Sequence, residues 1–277
     1  MKETNRKVVE YLKKNGNTDI SNYNDQFLKK MIDGRMEKTG YKTIESYLEL
    51  LHINPTETRA LINSLEISYS TFFRNSLTFS VLEKLILPSL FFIQNEKHSR
   101  EVRIWSAACA GGQEIYSLAI LINELKESNS QTNQYRIFAS DKSETQIIEA
   151  EKGIFRFSSV ENLTLSRMNR WFKLTGENYV ISSALKKNIE FTVFDLFDPL
   201  HSCPPACIFG EFDIVFLSNL LFYYKPQQRK VILDKAANVL SENGYLVTGE
   251  TEREILLQHN FQEVYPNSGI FKTKHPK

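Results

Sequence analysis

Val102-Arg-Ile-Trp-Ser-Ala-Ala-Cys-Ala-Gly-Gly112, followed at once by Gln113-Glu-Ile-Tyr-Ser-Leu-Ala-Ile-Leu-Ile-Asn-Glu-Leu125, is the stretch from which the fold is read. A short apolar run, Val102 to Trp105, ends in small residues. Ile115, Leu118, Ala119, Ile122 and Leu125 then recur at helical spacing. Strand, glycine turn and helix in that order form the first half of a βαβ unit.

The alternation continues outward. Tyr135-Arg-Ile-Phe138 reads as a second strand ending at Ala139-Ser-Asp141, with a helix through Ile147 to Ala150. Ile189–Val193, Phe212–Phe216 and Tyr245–Thr248 are further strand candidates, with helix around Gln228 to Leu240 between the last two. Phe261–Tyr265 and Gly269–Thr273 read as a closing antiparallel hairpin. This rhythm predicts a doubly wound α/β fold with a mostly parallel sheet. The span between Gly153 and Lys187 interrupts it and reads as a small appended subdomain.

Upstream, the pattern is helical only. Phe27, Leu28, Met31 and Ile32 share one face, Ile44, Tyr47, Leu48 and Leu51 another, and Leu61, Ile62 and Leu65 a third. Pro55-Thr-Glu57 marks a helix start. The expected division is therefore 1–80, an all-helical domain and linker, and 81–277, a catalytic domain carrying the small subdomain at about 154–188.

The 277 residues are 42% hydrophobic and 24% charged with a net charge of +1, an ordinary globular balance. That charge argues against nucleic acid as the partner. Residues 1–42 alone carry ten Lys/Arg against six Asp/Glu, a mildly basic end. Three cysteines make no disulfide framework and fit a reducing cytoplasm. The opening segment has no apolar signal region. The longest apolar stretch, Leu85 to Ile93, is interrupted by Pro88 and Ser89, short of the roughly 20 residues of a membrane span. A cytoplasmic protein that does not insert in membranes is expected.

Chemistry gathers at the strand ends, where doubly wound sheets bind ligands. The turn at Ala110-Gly111-Gly112 lets a ligand approach backbone, and the helix after it presents free N–H groups. Asp141, about 30 residues on, can accept both hydroxyls of a ribose. Leu217-Ser218-Asn219 follows the fourth strand, with Phe222-Tyr223-Tyr224 beyond it. Together these indicate a nucleoside-containing ligand. Each alone also has an ordinary structural reading as turn, helix cap or aromatic packing. The turn lacks G-x-G-x-x-G, and Gln113-Glu114 stands where a pyrophosphate would sit. A carboxylate there repels a diphosphate and pairs with the ammonium of a methionine moiety, which favours S-adenosylmethionine over NAD. His201-x-Cys203-x3-Cys207 lacks a second ligand pair and is broken by Pro204-Pro205, so no metal is expected. Cys109 reads as a small buried residue.

From about residue 25 onward the chain resembles the chemoreceptor glutamate methyltransferases of bacterial chemotaxis, the CheR type. Ser70-Thr-Phe-Phe-Arg74-Asn75 resembles that family's T-x-F-F-R linker, and Ile104 to Ala119 its W-S-A-A-C-S-x-G-E-E-P-Y-S-x-A. Phe138-Ala-Ser-Asp141 resembles A-[ST]-D, and Ala150-x-x-Gly153-x-Phe155 resembles A-x-x-G-x-Y. Phe212 to Tyr224 resembles F-D-x-I-F-C-R-N-V-x-I-Y-F, and Gly244 to Glu252 resembles G-x-L-x-x-G-H-S-E.

The resemblance implies a class I methyltransferase-like domain that uses S-adenosylmethionine and releases S-adenosylhomocysteine. It implies cofactor contacts from Ser68, Ser70, Arg74, Gly112, Glu114, Asp141, Asp195, Leu196, Ser218 and Asn219, with Arg74 and Tyr223 nearest the transferred methyl. Glu114 takes the methionine end, Asp141 the ribose, and Asp195-Leu196 the adenine. The implied substrate is a glutamate side chain on the cytoplasmic helices of a methyl-accepting chemoreceptor, with a monomer as the expected state. Lys29, Lys30, Arg35 and Lys38 are candidates to face an acidic receptor helix. The chain departs from the family pattern at Ser68, Gln113, Asp195, Ser218 and Glu250. Ser218 removes a cation from the pocket rim. Those departures keep two alternatives open: a cofactor-binding regulator without turnover, and a methyltransferase for another protein or a small molecule.

Overall fold

The computed structural model describes residues 3–15, 18–65, 70–96, 101–129, 134–207 and 211–274. The chain divides into two compact units, one of residues 1–67 with 222–230, the other of residues 68–221 with 231–277.

The first unit holds helices α1 (Glu3–Asn15), α2 (Asp25–Thr39), α3 (Ile44–Ile53) and α4 (Pro55–Ser64). Side chains supply the caps that helix starts need: Asn24 Oδ1 accepts from Gln26 N–H, and Asn54 Oδ1 from Thr56 and Glu57 N–H ahead of Pro55. Leu28, Ile32, Tyr47, Leu51 and Leu61 are buried, as their helical spacing requires. Inside this apolar set Glu57 binds the Arg35 guanidinium through both oxygens, one contact at 3.0 Å, and accepts the Tyr47 hydroxyl at 2.7 Å. Burial alone would raise the Glu57 pKa, but these partners offset it and leave it lowered. Arg35 is therefore committed to the interior and does not join Lys29, Lys30 and Lys38, which are exposed.

Residues 222–230 join this unit through backbone pairing. Tyr23 and Tyr224 form an isolated antiparallel bridge with stacked rings 5.1 Å apart. Asn24 N–H donates to Tyr223 O at 2.7 Å, and Lys225 N–H to Asn22 O at 3.0 Å.

The second unit begins with α5 (Ser76–Val81), a π turn (Leu82–Ile86) and α6 (Leu87–Glu96). Pro88 and Ser89 interrupt the apolar run in sequence but not the helix. Proline cannot donate to the carbonyl a turn behind it, and the π turn just before it, closed by Leu87 N–H to Leu82 O, accommodates the defect without ending the helix. Ser76–Ile93 is consequently long and apolar enough to cross a membrane by length and composition. Leu82, Ile86, Leu87 and Phe91 belong to the core of the α/β unit. Phe72 and Phe79 lie in the same core, so the units part near residue 67 and not at the expected 80.

Seven strands follow: β1 (Val102–Ser106), β2 (Tyr135–Asp141), β6 (Ile189–Val193), β7 (Phe212–Leu217), β8 (Leu240–Thr248), β9 (Phe261–Glu263) and β10 (Ile270–Thr273). They form one sheet in the order β6-β2-β1-β7-β8-β10-β9. The pairs from β6 to β8 are parallel, and β10 runs antiparallel to β8 and β9, the expected closing hairpin. Crossover helices α7 (Gln113–Asn129), α8 (Glu144–Lys152) and α12 (Pro226–Val239) follow β1, β2 and β7. Strand order reverses at β1, whose neighbours are β2 and β7, so the ligand crevice opens at the carboxyl ends of these three strands.

The interruption after Gly153 is a three-stranded antiparallel sheet, β3 (Ile154–Arg156), β5 (Asn178–Ile181) and β4 (Phe172–Thr175). Short helices α9 (Phe157–Val160), α10 (Leu165–Trp171) and α11 (Ser183–Lys186) accompany it, and α13 (Arg253–Leu257) precedes β9.

Candidate functional site

The turn after β1 is stitched to both neighbouring strands. Ala107 N–H donates to Phe216 O at 3.1 Å, and Cys109 N–H to Ser140 O at 2.9 Å. Ala110 (φ 46°) and Gly112 (φ 86°) are left-handed. A Cβ on Gly112 would stand 3.1 Å from both Ala150 Cβ and Tyr116 Cε2, so the backbone favours glycine there and a side chain would meet its neighbours tightly.

Asp141 closes this turn from the end of β2. One carboxylate oxygen accepts Ala110 N–H and the other Ser143 N–H, both at 3.0 Å. Beside it, Asp141 O accepts Phe194 N–H at 2.9 Å and leads to Asp195, whose carboxylate accepts Phe197 N–H at 2.9 Å. Asp195 is exposed and Leu196 buried.

Glu114, in the first turn of α7, accepts the Ser106 hydroxyl at 3.2 Å and hydrogen-bonds to Ser218. Burial pushes its carboxyl up to about 7, against the Ser218 and Ser106 bonds; the negative charge of Glu252 adds to the rise, and the Arg74 guanidinium opposes it. Next to it, Gln113 Oε1 is buried without a hydrogen-bond partner.

Ser218 and Asn219 follow β7, with Asn219 left-handed at φ 58°. Glu252, fully buried, holds this turn: it accepts Asn219 N–H at 2.6 Å, Leu221 N–H at 2.5 Å, and Gly249 N–H and the Thr248 hydroxyl at 3.0 Å. Burial raises its pKa, opposed by these same four bonds. Nothing in the local sequence marks its hold on this turn, because Asn219 and Leu221 lie about 30 residues upstream.

The segment Ser70–Arg74 is pinned to the α/β unit. Phe72 N–H donates to Ser159 O at 3.0 Å, and the Phe72 ring meets Phe155 and Phe172 of the small subdomain edge-on at 4.9 and 5.1 Å. Phe73 is left-handed (φ 50°), donates its N–H to Ser117 Oγ at 3.0 Å, and carries the Arg167 guanidinium 4.7 Å above its ring. Arg74 is exposed. Ser70 is half-buried, and Ser68 lies outside the described residues.

Gly112, Glu114, Asp141, Ser218 and Asn219 thus surround the switch point, with Arg74 within electrostatic reach of Glu114 and Asp195-Leu196 at the adjoining strand end. Tyr223 belongs to the helical unit, in a 3-10 turn (Leu221–Tyr223), where its ring lies 4.9 Å from that of Phe27. Cys109 is buried, and burial raises its thiol pKa well above the ordinary value.

Comparison with known proteins identifies the family. The family described as CheR methyltransferase, SAM binding domain, matches residues 68–269, and the CheR methyltransferase all-alpha domain matches residues 5–65. The chain is 30% identical over 241 residues to the chemotaxis protein methyltransferase Cher2 of Pseudomonas putida, covering 85% of this chain and 84% of that one. It is 28% identical over 240 residues to chemotaxis protein methyltransferase 1 of Pseudomonas aeruginosa, covering 85% and 84%. It is 29% identical over 234 residues to the chemotaxis protein methyltransferase of Escherichia coli K12, covering 82% and 76%.

Proposed function

We propose that this chain, which belongs to the CheR methyltransferase family of S-adenosylmethionine-dependent chemotaxis enzymes, esterifies glutamate side chains on the cytoplasmic helices of a chemoreceptor. The observation that carries the reading is the match of both family domains, in order, along nearly the whole chain.

The residues present fit the cofactor. Glu114 is a buried carboxyl whose ionisation is suppressed for want of a strong cationic partner, and an ammonium group would supply one. Gln113 Oε1, also buried, is an acceptor that a donor at this turn would satisfy. S-adenosylmethionine brings an activated methyl on a sulfonium. In this reading Glu114 holds the methionine ammonium, Asp141 accepts from the ribose hydroxyls, and Asp195 and Leu196 flank the adenine. Gly112 gives backbone access, while Ser70, Ser218 and Asn219 complete the wall.

A glutamate substrate is ionised at neutral pH, so transfer needs no general base. What remains is to hold a carboxylate oxygen in line and exclude water. Arg74 is the cation for that task, its position set by the anchored Phe72 and Phe73. By its place in the family pattern, Tyr223 is the candidate hydroxyl donor. Lys29, Lys30 and Lys38 form an exposed basic set on α2 that suits an acidic receptor helix.

The test is incubation with radiolabelled S-adenosylmethionine and cognate receptor cytoplasmic fragments, comparing wild type with Arg74→Ala and Asp141→Ala. Label released by mild base from wild type and lost in both variants is the expected result. Base-stable label only, or no label despite calorimetric binding of S-adenosylhomocysteine, would overturn glutamate esterification.

A further inference from the structure

We propose that Cys203 and Cys207 form a reversible dithiol–disulfide pair, a covalent modification site on the loop between β6 and β7. The two thiols are separated by Pro204-Pro205-Ala206 and are brought together by a tight turn. A 3-10 turn (Pro205–Cys207) is closed by Cys207 N–H to Pro204 O at 2.9 Å. It places Cys203 Sγ 3.6 Å from Cys207 O and Cys207 Sγ 3.0 Å from Pro204 O, so both sulfurs lie against the same tight turn. Two consecutive prolines restrict the backbone on which the sulfurs approach, so little conformational freedom is lost on closing the short loop.

The surroundings divide the work between the two sulfurs. Cys203 is half-exposed and Cys207 is buried. The loop is ringed by cations. Arg103 reaches Cys207 O at 3.5 Å, and Lys235 Nζ donates to His201 O at 2.7 Å and to Asp198 O. His201 pairs with Asp198 at 2.9 Å. The bond from Cys207, followed by Arg103, His201 and Lys235, lowers the Cys203 thiol pKa against the effect of burial. Hydrogen bonding to Cys203, burial, and the nearby charges of Cys203 and Glu190 raise that of Cys207. Cys203 is therefore the attacking thiolate and Cys207 the resolving thiol.

A low-molecular-weight disulfide is the oxidant. The Cys203 thiolate attacks one of its sulfurs, forming a mixed disulfide and expelling one thiolate, which takes up a proton. Loss of the negative charge on Cys203 eases ionisation of Cys207, which then attacks Cys203 Sγ. The protein disulfide forms and a second small thiol leaves. Excess small thiol reverses both steps. The same loop starts at Asp195 and Leu196, so the redox state of the pair is carried on the segment assigned to the adenine.

The experiment uses the full chain, reduced and desalted, incubated with oxidised glutathione near neutral pH. Intact mass and peptide mapping follow under denaturing, thiol-blocked conditions. Wild type is expected to form a Cys203–Cys207 disulfide with no retained glutathione. Cys207→Ser, which keeps a hydroxyl donor in place of the thiol, is expected to trap glutathione on Cys203 about tenfold faster than Cys109 reacts. Cys203→Ser is expected to leave both remaining thiols free. A glutathione adduct persisting equally in wild type and Cys207→Ser, a disulfide that includes Cys109, or no thiol loss in wild type would each overturn the proposal. Mapping of wild type decides the matter by itself if either variant fails to fold.

Discussion

The carboxylate of Glu252 accepts the backbone N–H of Asn219 at 2.6 Å and so holds the left-handed turn at the end of β7. Gly249 approaches the same residue closely: a Cβ there would stand 2.9 Å from Asn219 Oδ1. The wall of the crevice is thus set from a strand end about 30 residues away in sequence.

Glu252→Gln is expected to break this arrangement. Both carboxylate oxygens accept N–H groups, and in either orientation an amide turns its NH2 toward a backbone donor. One buried donor left unsatisfied costs about 1–3 kcal/mol. Urea unfolding should register that loss, and calorimetry should show S-adenosylhomocysteine binding weakened by about tenfold. Unchanged values in both would contradict the clamp.

Cofactor binding should depend on the ionisation of Glu114. Its carboxyl, raised to about 7 by burial, is largely protonated in the free protein below that pH, and an ammonium partner needs it ionised. Affinity for S-adenosylhomocysteine is expected to be flat above about pH 7 and to fall toward tenfold per pH unit below it. Stability of the free protein runs the other way. A raised folded pKa makes the neutral form stabilising below the ordinary value of 4.5, a contribution lost as pH rises through about 7. Titration calorimetry of wild type and Glu114→Gln checks the binding half, and a Gln variant that retains the slope would assign it elsewhere.

Gly112→Ala and Gly176→Ala separate two costs. Both glycines are left-handed, at φ 86° and φ 59°, but a Cβ at Gly112 meets Ala150 and Tyr116 at 3.1 Å while at Gly176 it meets nothing within 4 Å. The backbone term is about 1–2 kcal/mol for each. Gly112→Ala should exceed it by the packing term and weaken cofactor binding, and Gly176→Ala should leave binding unchanged. Equal effects of the two on binding would remove Gly112 from the crevice.

In the helical unit, Glu57→Ala leaves Arg35 facing the interior without its partner. Removing one member of a buried pair costs about 3–5 kcal/mol. The native Glu57 pKa lies below its ordinary value because the Arg35 and Tyr47 bonds outweigh burial. That stabilisation is present above pH 4.5 and lost as pH falls through the lowered value. Thermal melting of the variant should drop by several degrees at pH 7, with the difference from wild type narrowing in acid; a pH-independent difference would argue against the ion pair.

Periodicity and strand-end chemistry were legible in the sequence. The apolar runs at Val102, Tyr135, Ile189 and Phe212 form β1, β2, β6 and β7, and Gly112 and Asp141 stand where a glycine turn and a strand-end carboxylate were expected. Those features are local, determined by side-chain spacing of two or 3.6 residues and by φ at single positions. Contacts between distant segments were not legible. Glu252 reads as one more acidic residue after a strand until Asn219 and Leu221 fold onto it. Arg35 reads as surface charge until Glu57 meets it across two helices, and Tyr224 reads as crossover chain until it pairs with Tyr23. Nothing in the sequence marks the π turn before Pro88 that absorbs its missing donor. Which buried polar group satisfies which depends on how the loops close, and only the tertiary structure decides that.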